Sequence, residues 1–251
     1  MPTCLQFALS NPTPGHEEEF NRWYGGEHLQ HGVLIPGISA GQRFHRIEGP
    51  WPLGNHDYLM IWELDDPALA LAELAKARNT DRMPISPAID MTTVQPPTMW
   101  RRATVRSAAR IATPTDSRRT VVLALMNALQ DEDEKFVASL LNGRLVTLAD
   151  LPGVISAELL TLADEQIRGN ARKFRFALLI ELVDEARALD ALAVPLASLP
   201  HLDTQRWQAP VFRPMGHRMT TSDAQELARV LIDGALPLPA LSPESEEGAR
   251  S

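Results

Sequence analysis

An α+β chain built from two similar ferredoxin-like halves is predicted by three observations. The segment IPGISAGQRFHRI (35–47) is echoed by LPGVISAELLTL (151–162), and HDYLMIWELDDPALALAELAKA (56–77) by FRFALLIELVDEARALDALAVP (174–195). Strand-like and helical stretches follow the order β-α-β-β-α-β in each half, the split pattern whose antiparallel sheet carries both helices on one face. Each such sheet leaves its other face bare, so the two tandem units are expected to pack sheet to sheet as a pseudo-dimeric α/β barrel. The expected divisions are a first unit over 1–102, a connector over 103–118, a second unit over 119–220, and a C-terminal helix with a disordered tail over 221–251.

Local signals justify each element in turn. The apolar run TCLQFALS reads as a first strand closed by the turn residues of NPTPG. Pro14 and Gly15 suit a helix entrance, Glu17, Glu18 and Glu19 suit the positive end of its dipole, and Pro36-Gly37 lies beyond its exit. Gly25-Gly26 interrupts this helix, since each glycine costs about 1 kcal/mol against alanine there; a break or a close approach is expected. A strand over 38–47, a hairpin region EGPWPLGNHD and a strand YLMIWEL come next. Asp65-Asp66-Pro67 then starts an Ala/Leu-rich helix, and a last strand falls within 91–102. The second half repeats the order through TVVLALMNAL, EDEKFVASLLNGRLVTL, VISAELLTL, KFRFALLIEL, DEARALDALAVPLASL and APVFRPMGHRM, with SDAQELARVLIDGAL as one more helix. The remaining PLPALSPESEEGARS has the Pro/Ser/Glu-rich composition of a disordered tail.

Composition excludes several function classes. A net charge of −8 and a pI near 5.4 leave no extended basic surface, which argues against nucleic acid as a partner. Arg101, Arg102, Arg106, Arg110, Arg118 and Arg119 cluster mid-chain and read as decoration of an exposed linker or strand end. No apolar run approaches the roughly 20 residues of a membrane helix, and MPTCLQFALSNPTPG lacks the basic start of a secretory signal. The expectation is a cytoplasmic protein with no membrane partner. Cys4, the single cysteine, forms no internal disulfide and no thiolate metal framework. Walker A and GxGxxG motifs are missing.

Candidate chemistry concentrates in PGHEEEFNRWYGGEHLQHGVLIPG. Helical spacing puts Glu17, Tyr24, His28 and His31 along one stripe, with Phe20, Trp23 and Glu27 beside it. His28 is the candidate general acid/base, because imidazole exchanges protons near neutral pH, and Tyr24 would orient substrate. Core packing by Trp23 and Tyr24, with His28 as a helix-end cap, is the competing interpretation. His31 is a weaker candidate, and the His28/His31 pair lacks an evident third ligand, so no metal is expected. Arg43 and His45 share one face of the strand GQRFHRI, which meets either the helices or solvent. Tyr58 and Trp62 share a face of the next strand, as a pocket wall or as sheet packing, and His217 near the last strand could reach across to the first half. Aligning Pro36-Gly37 with Pro152-Gly153 sets His28 opposite Arg144, His31 opposite Thr147, Trp23 opposite Ser139 and Tyr24 opposite Leu140. A single active site therefore belongs to the first half.

The series Trp23, Tyr24, His28, Pro36, Gly37, Arg43 and Phe44 resembles EthD-like proteins of the dimeric α/β-barrel superfamily. Residues 11–47 carry the motif, while the architecture covers most of both halves. The resemblance implies relatives that include cofactor-independent monooxygenases, polyketide cyclases, muconolactone isomerases and haem-using members, many of them acting on small aromatic or hydrophobic molecules. It places the family's helix histidine at His28. The expected function is a cofactor-independent lyase or isomerase of aromatic catabolism. In it His28 moves a proton, while Tyr24, Arg43 or His45 stabilises the oxygen that becomes negative and Trp23, His31, Tyr58, Trp62 and His217 contact substrate. A cofactor-independent monooxygenase and a non-catalytic binding protein are the alternatives, haem binding through a histidine is a further option, and a homodimer stays open.

Overall fold

The computed structural model describes residues 4–107, 119–166 and 172–232. The first half runs β1 (Cys4–Ser10), α1 (Glu17–Trp23), a π-helical segment (Tyr24–His28), α2 (Leu29–Val33), β2 (Ile38–Ile47), β3 (Tyr58–Leu64), α3 (Pro67–Ala77) and β4 (Thr98–Arg106). The second runs β5 (Val121–Ala128), α4 (Asp133–Ser139), a π-helical segment (Leu140–Arg144), α5 (Leu145–Ala149), β6 (Val154–Leu162), β7 (Phe176–Leu182), α6 (Glu185–Ala197), β8 (Leu202–Gln208) and β9 (Val211–Pro214). A two-residue strand β10 (Met219–Thr220) and helix α7 (Thr221–Ile232) follow. No helix among the described residues is long and apolar enough to cross a membrane.

Both halves show the same antiparallel strand order, β2-β3-β1-β4 and β6-β7-β5-β8. Strand β4 joins them by pairing with β1 on one side and β6 on the other, and β9 closes the ring by pairing with β5 and β2. The result is a closed antiparallel barrel. Alternation along each strand explains its filling: Leu5, Phe7 and Leu9 of β1 and Leu59 and Ile61 of β3 meet Leu123, Leu125 and Leu179 of the second half inside it. The intervening residues Cys4, Tyr58, Met60, Trp62 and Leu64 face outward, onto the first helical layer. Burial pushes the Cys4 thiol up to about 12, which leaves it an apolar core group.

The two copies of the Pro-Gly turn are built alike. Gly37 and Gly153 have φ of +89° and +84°, and a Cβ on either would stand 2.5 Å from the carbonyl oxygen of Asp66 or Asp184. Each of these aspartates caps the following helix, accepting from Leu69 N at 3.0 Å or Arg187 N at 3.2 Å. Gly37→Ala and Gly153→Ala are each expected to cost about 1–3 kcal/mol, measured by urea unfolding. The left-handed backbone and the close approach penalise the added methyl together.

Several expectations change. Residues 103–106 belong to β4, so the stretch between the halves begins later than expected. Arg101 is not linker decoration: it is partly buried and pairs with Glu158 of β6 at 2.8 Å, since β4 is a strand of the barrel wall. Arg102 and Arg106 are exposed, whereas Arg110 and Arg118 lie outside the described residues, as does the expected tail from 237 onward. The expected last strand APVFRPMGHRM is divided into β9, which pairs with β5 and β2, and β10, which pairs with β2, and a further strand, β8, precedes it on β5. The C-terminal helix returns to the first half: Thr221 Oγ1 donates to the Val33 carbonyl at 3.0 Å, and Ala224 is buried in the first helical layer.

Candidate active site

The two glycines at 25 and 26 give the first helix its functional shape. Tyr24–His28 forms a π-helical turn, a distortion that recurs at functional sites. In a regular α-helix, residues five apart point about 140° away from each other. The wider turn instead stacks His28 on Trp23, with ring centroids 4.4 Å apart, and sets its edge against Tyr24 at 4.6 Å. Trp62 stands 6.3 Å away on the sheet side. The stripe expected from α-helical spacing is thereby replaced by an aromatic enclosure around one imidazole.

This enclosure forms one wall of a cavity of about 100 Å³ between the outer face of the first-half sheet and its helices. Gln6, Ala8 and Ser10 of β1 and Trp62 of β3 make its floor. Trp23, Tyr24 and His28 make one side, and Met83, Ile85, Ile89, Met91 and Val94 close the other. The closing residues come from the irregular segment 78–97, which joins α3 to β4; the equivalent link between α6 and β8 is only 198–201. A long segment without regular structure inside a compact fold is a common signature of a binding or lid element. This difference between the halves was available from the repeat, and it marks the side of the molecule that carries a cavity wall. The stretch carries no catalytic motif, so its length is the signal.

Three polar atoms on or beside this wall are enclosed and have no hydrogen-bond partner in the protein: His28 Nδ1, Trp23 Nε1 and Ser10 Oγ. Unsatisfied buried polar groups cost about 1–3 kcal/mol each, so three such atoms on residues of one cavity lining set it apart from an ordinary apolar core. Burial, with the charges of Arg43 and His31 adding to it, lowers the His28 pKa to about 3. The resting imidazole is therefore neutral. Burial raises the Tyr24 phenol to about 12, against the opposing effect of Arg43.

Arg43 is 4 % exposed and sits behind the wall rather than in it. Its guanidinium donates to Asn21 O at 3.1 Å and Asn21 Oδ1 at 3.0 Å and lies 4.6 Å from the Tyr24 ring centre. Gly25 makes room for it, since a Cβ there would come 3.3 Å from Nη1. The close approach at the double glycine is thus by Arg43. No carboxylate pairs with this buried cation among the described residues, so its field reaches the cavity.

The remaining sequence candidates lie off the wall. Tyr58 shares the helix-facing side of β3 but donates to Glu17 and accepts from Asn21 at 3.1 Å, locking α1 onto the sheet. His45 lies on the same side of β2 as Arg43 but is exposed, because it falls past the helix layer, with its ring 5.0 Å from Tyr58. His31 is half-buried on α2 with an unpartnered Nδ1 and does not line the cavity. His217 is exposed in the turn between β9 and β10, whose Met215 and Gly216 bond to Arg43 and Gln42 of β2 in the first half, and it does not line the cavity. At the equivalent of His28, Arg144 is exposed. The cavity thus brings together Trp23, Tyr24, His28 and Trp62 and leaves out Arg43, His45, His31, Tyr58 and His217.

Among the described residues no cluster of three or more His, Cys, Asp or Glu side chains is placed to hold a metal ion. A cavity of about 100 Å³ does not accommodate a porphyrin, so the residues around His28 do not fit a haem.

No protein-family model and no curated protein matches the chain. Solved structures do resemble it. An anthrone oxidase-like protein aligns with a TM-score of 0.64 at 11% identity, covering 88% of this chain and 94% of its own. A protein provisionally described as a monooxygenase, from Fusobacterium nucleatum, gives 0.55 at 12%, covering 86% and 94%. Chlorite dismutase from Candidatus Nitrospira defluvii, in complex with imidazole, gives 0.53 at 10%, covering 89% and 94%. At such identities the likeness concerns the fold alone. It is that of the dimeric α/β-barrel class, without singling out EthD-like proteins within it.

Proposed function

We propose that the protein is an enzyme that takes a proton from a small aromatic molecule bearing a hydroxyl or an enolisable carbonyl, bound in the helix–sheet cavity, with His28 as the proton acceptor. The observation that carries this reading is the enclosed, unpartnered Nδ1 of a neutral His28 on an otherwise apolar, aromatic wall. A histidine with a pKa of about 3 is a weak base toward water. That value describes an imidazolium with no counter-anion. When the proton comes from the ligand, a phenolate or enolate forms beside the imidazolium, and a paired charge replaces an isolated one. The Trp23 and Tyr24 rings favour the cation, and the Arg43 charge behind the wall favours the anion. Trp23 Nε1 and the neutral Tyr24 phenol are the hydrogen-bond donors available to its oxygen. None of these steps requires a cofactor.

Two outcomes start from that anion. Reaction with dioxygen gives a monooxygenase: one oxygen atom replaces both hydrogens of an activated methylene as a carbonyl, the other leaves as water, and the substrate supplies all the electrons. The fold neighbours described as anthrone oxidase-like and as a monooxygenase favour this outcome. Returning the proton to another carbon, or expelling a neighbouring group, gives an isomerase or lyase from the same site. An oxygen electrode with anthrone and substituted naphthols separates them. Uptake of one dioxygen per product supports the monooxygenase, and equal turnover without oxygen supports the isomerase or lyase. Absence of both binding and turnover with all of these compounds would overturn the site assignment.

A further inference from the structure

We propose that Arg78 determines specificity at this site, selecting aromatic substrates that carry a carboxylate or similar small anion on the end remote from His28. The proposal rests on the cavity being the substrate site, and size is its first support. An apolar cavity of about 150 Å³ accommodates benzene, so the inner space of about 100 Å³ takes no more than one ring. The rest of any larger ligand must leave it. Beyond the segment 78–97 lies an open groove of about 550 Å³, and the two spaces share Arg78, Ile85, Ile89 and Met91 as wall residues. Arg78 thus stands at the boundary of the two spaces, where a ligand reaching from one toward the other would meet it.

Charge is the second support. Arg78 is exposed and makes no ion pair among the described residues; Asp81, in the turn that the Arg78–Met83 bridge closes, makes none either, while Glu73 and Asp90 are occupied. Glu73 holds Lys76 at 2.8 Å and Arg82 at 3.4 Å, and Asp90 accepts from the backbone and hydroxyl of Thr92. The groove wall is otherwise uncharged, made by residues such as Ala75, Asn79, Ser86 and Pro87. A protein of net charge −8 repels anions at long range, so an anionic ligand needs a local cation at the point of entry. Arg78 supplies it with a fork suited to a carboxylate.

Calorimetric titration with para-phenylphenol, and with the same molecule carrying a carboxylate on its far ring, tests this. The carboxylate form should bind the wild type about fivefold more tightly at low salt, the size of an exposed charge pair, and the advantage should shrink with added salt. Arg78→Gln should abolish the advantage, read as the ratio of the two affinities within the variant, with thermal stability unchanged, which a merely structural role at the end of α3 would not do. Lys76→Gln, which removes a nearby cation outside the shared wall, should keep the advantage. Equal affinity of the wild type for both probes, or equal loss in the two variants, overturns the Arg78 assignment and leaves the cavity reading standing. Failure of both probes to bind the wild type overturns both.

Discussion

Gly32→Ala is expected to destabilise the protein by about 2–3 kcal/mol, although helix propensity alone would make alanine the better residue by about 1 kcal/mol. The reason is Trp62. A Cβ at position 32 would stand 2.1 Å from the Trp62 Cη2, with two more indole atoms within 2.9 Å. The indole also passes over Gly41 of β2, where a Cβ would come 2.7 Å from it. Two glycines therefore define the slot that holds a ring of the cavity floor. Moving the indole costs packing in the first helical layer and reshapes the cavity, so ligand affinity should fall with stability. Urea unfolding of Gly32→Ala, Trp62→Leu and the double variant checks the cause. In the Trp62→Leu background the alanine should cost little or become favourable. A Gly32→Ala protein as stable as the wild type, binding ligand equally well, would show that the slot is not a constraint.

His28→Gln is expected to lower kcat by about 100-fold or more, the usual range for losing a positioned acid or base, while binding of the aromatic probe changes little. The same variant tests the electrostatics. The unfolded-state imidazole titrates near 6.5 and the folded one near 3, so below about pH 6.5 the unfolded chain binds a proton that the folded protein does not. Stability should therefore decline as pH falls from about 6.5 toward 3, and a variant without this imidazole should decline less over that window. His56, lowered chiefly by its burial, adds to the wild-type slope and remains in the variant. Unfolding free energies at pH 7 and pH 5 for both proteins measure the difference. Identical slopes would mean that the imidazole is protonated readily in place, and retention of turnover by His28→Gln would remove His28 from the chemistry.

The barrel was legible in the sequence because its determinants are local and repeated. The Pro36-Gly37 and Pro152-Gly153 turns, the aspartate caps at 66 and 184 and the two-residue alternation of β1 and β3 each specify geometry within a few positions. Duplication makes such weak signals count twice. Assignment of chemistry to the first half came from the same comparison, through the contrast between His28 and Arg144. Helical spacing was less informative, since a π-helical turn changes which residues meet, and the glycines that permit it indicate a break without giving its form.

What the sequence alone determined is the order of elements, the closure of two sheets on one core and the helix that carries Trp23, Tyr24 and His28. What only the tertiary structure decided is which polar groups share one space. Arg43 and His45 lie on the same strand face, yet one is sealed behind Tyr24 and the other is in solvent, because the helix layer covers one position and ends before the next. Arg78 and Met83 carry no motif and reach the cavity through the path of a segment without regular structure. Periodicity fixes the direction a side chain takes from its own element. The partner it meets depends on where distant elements stop, and that is set by packing of the whole barrel.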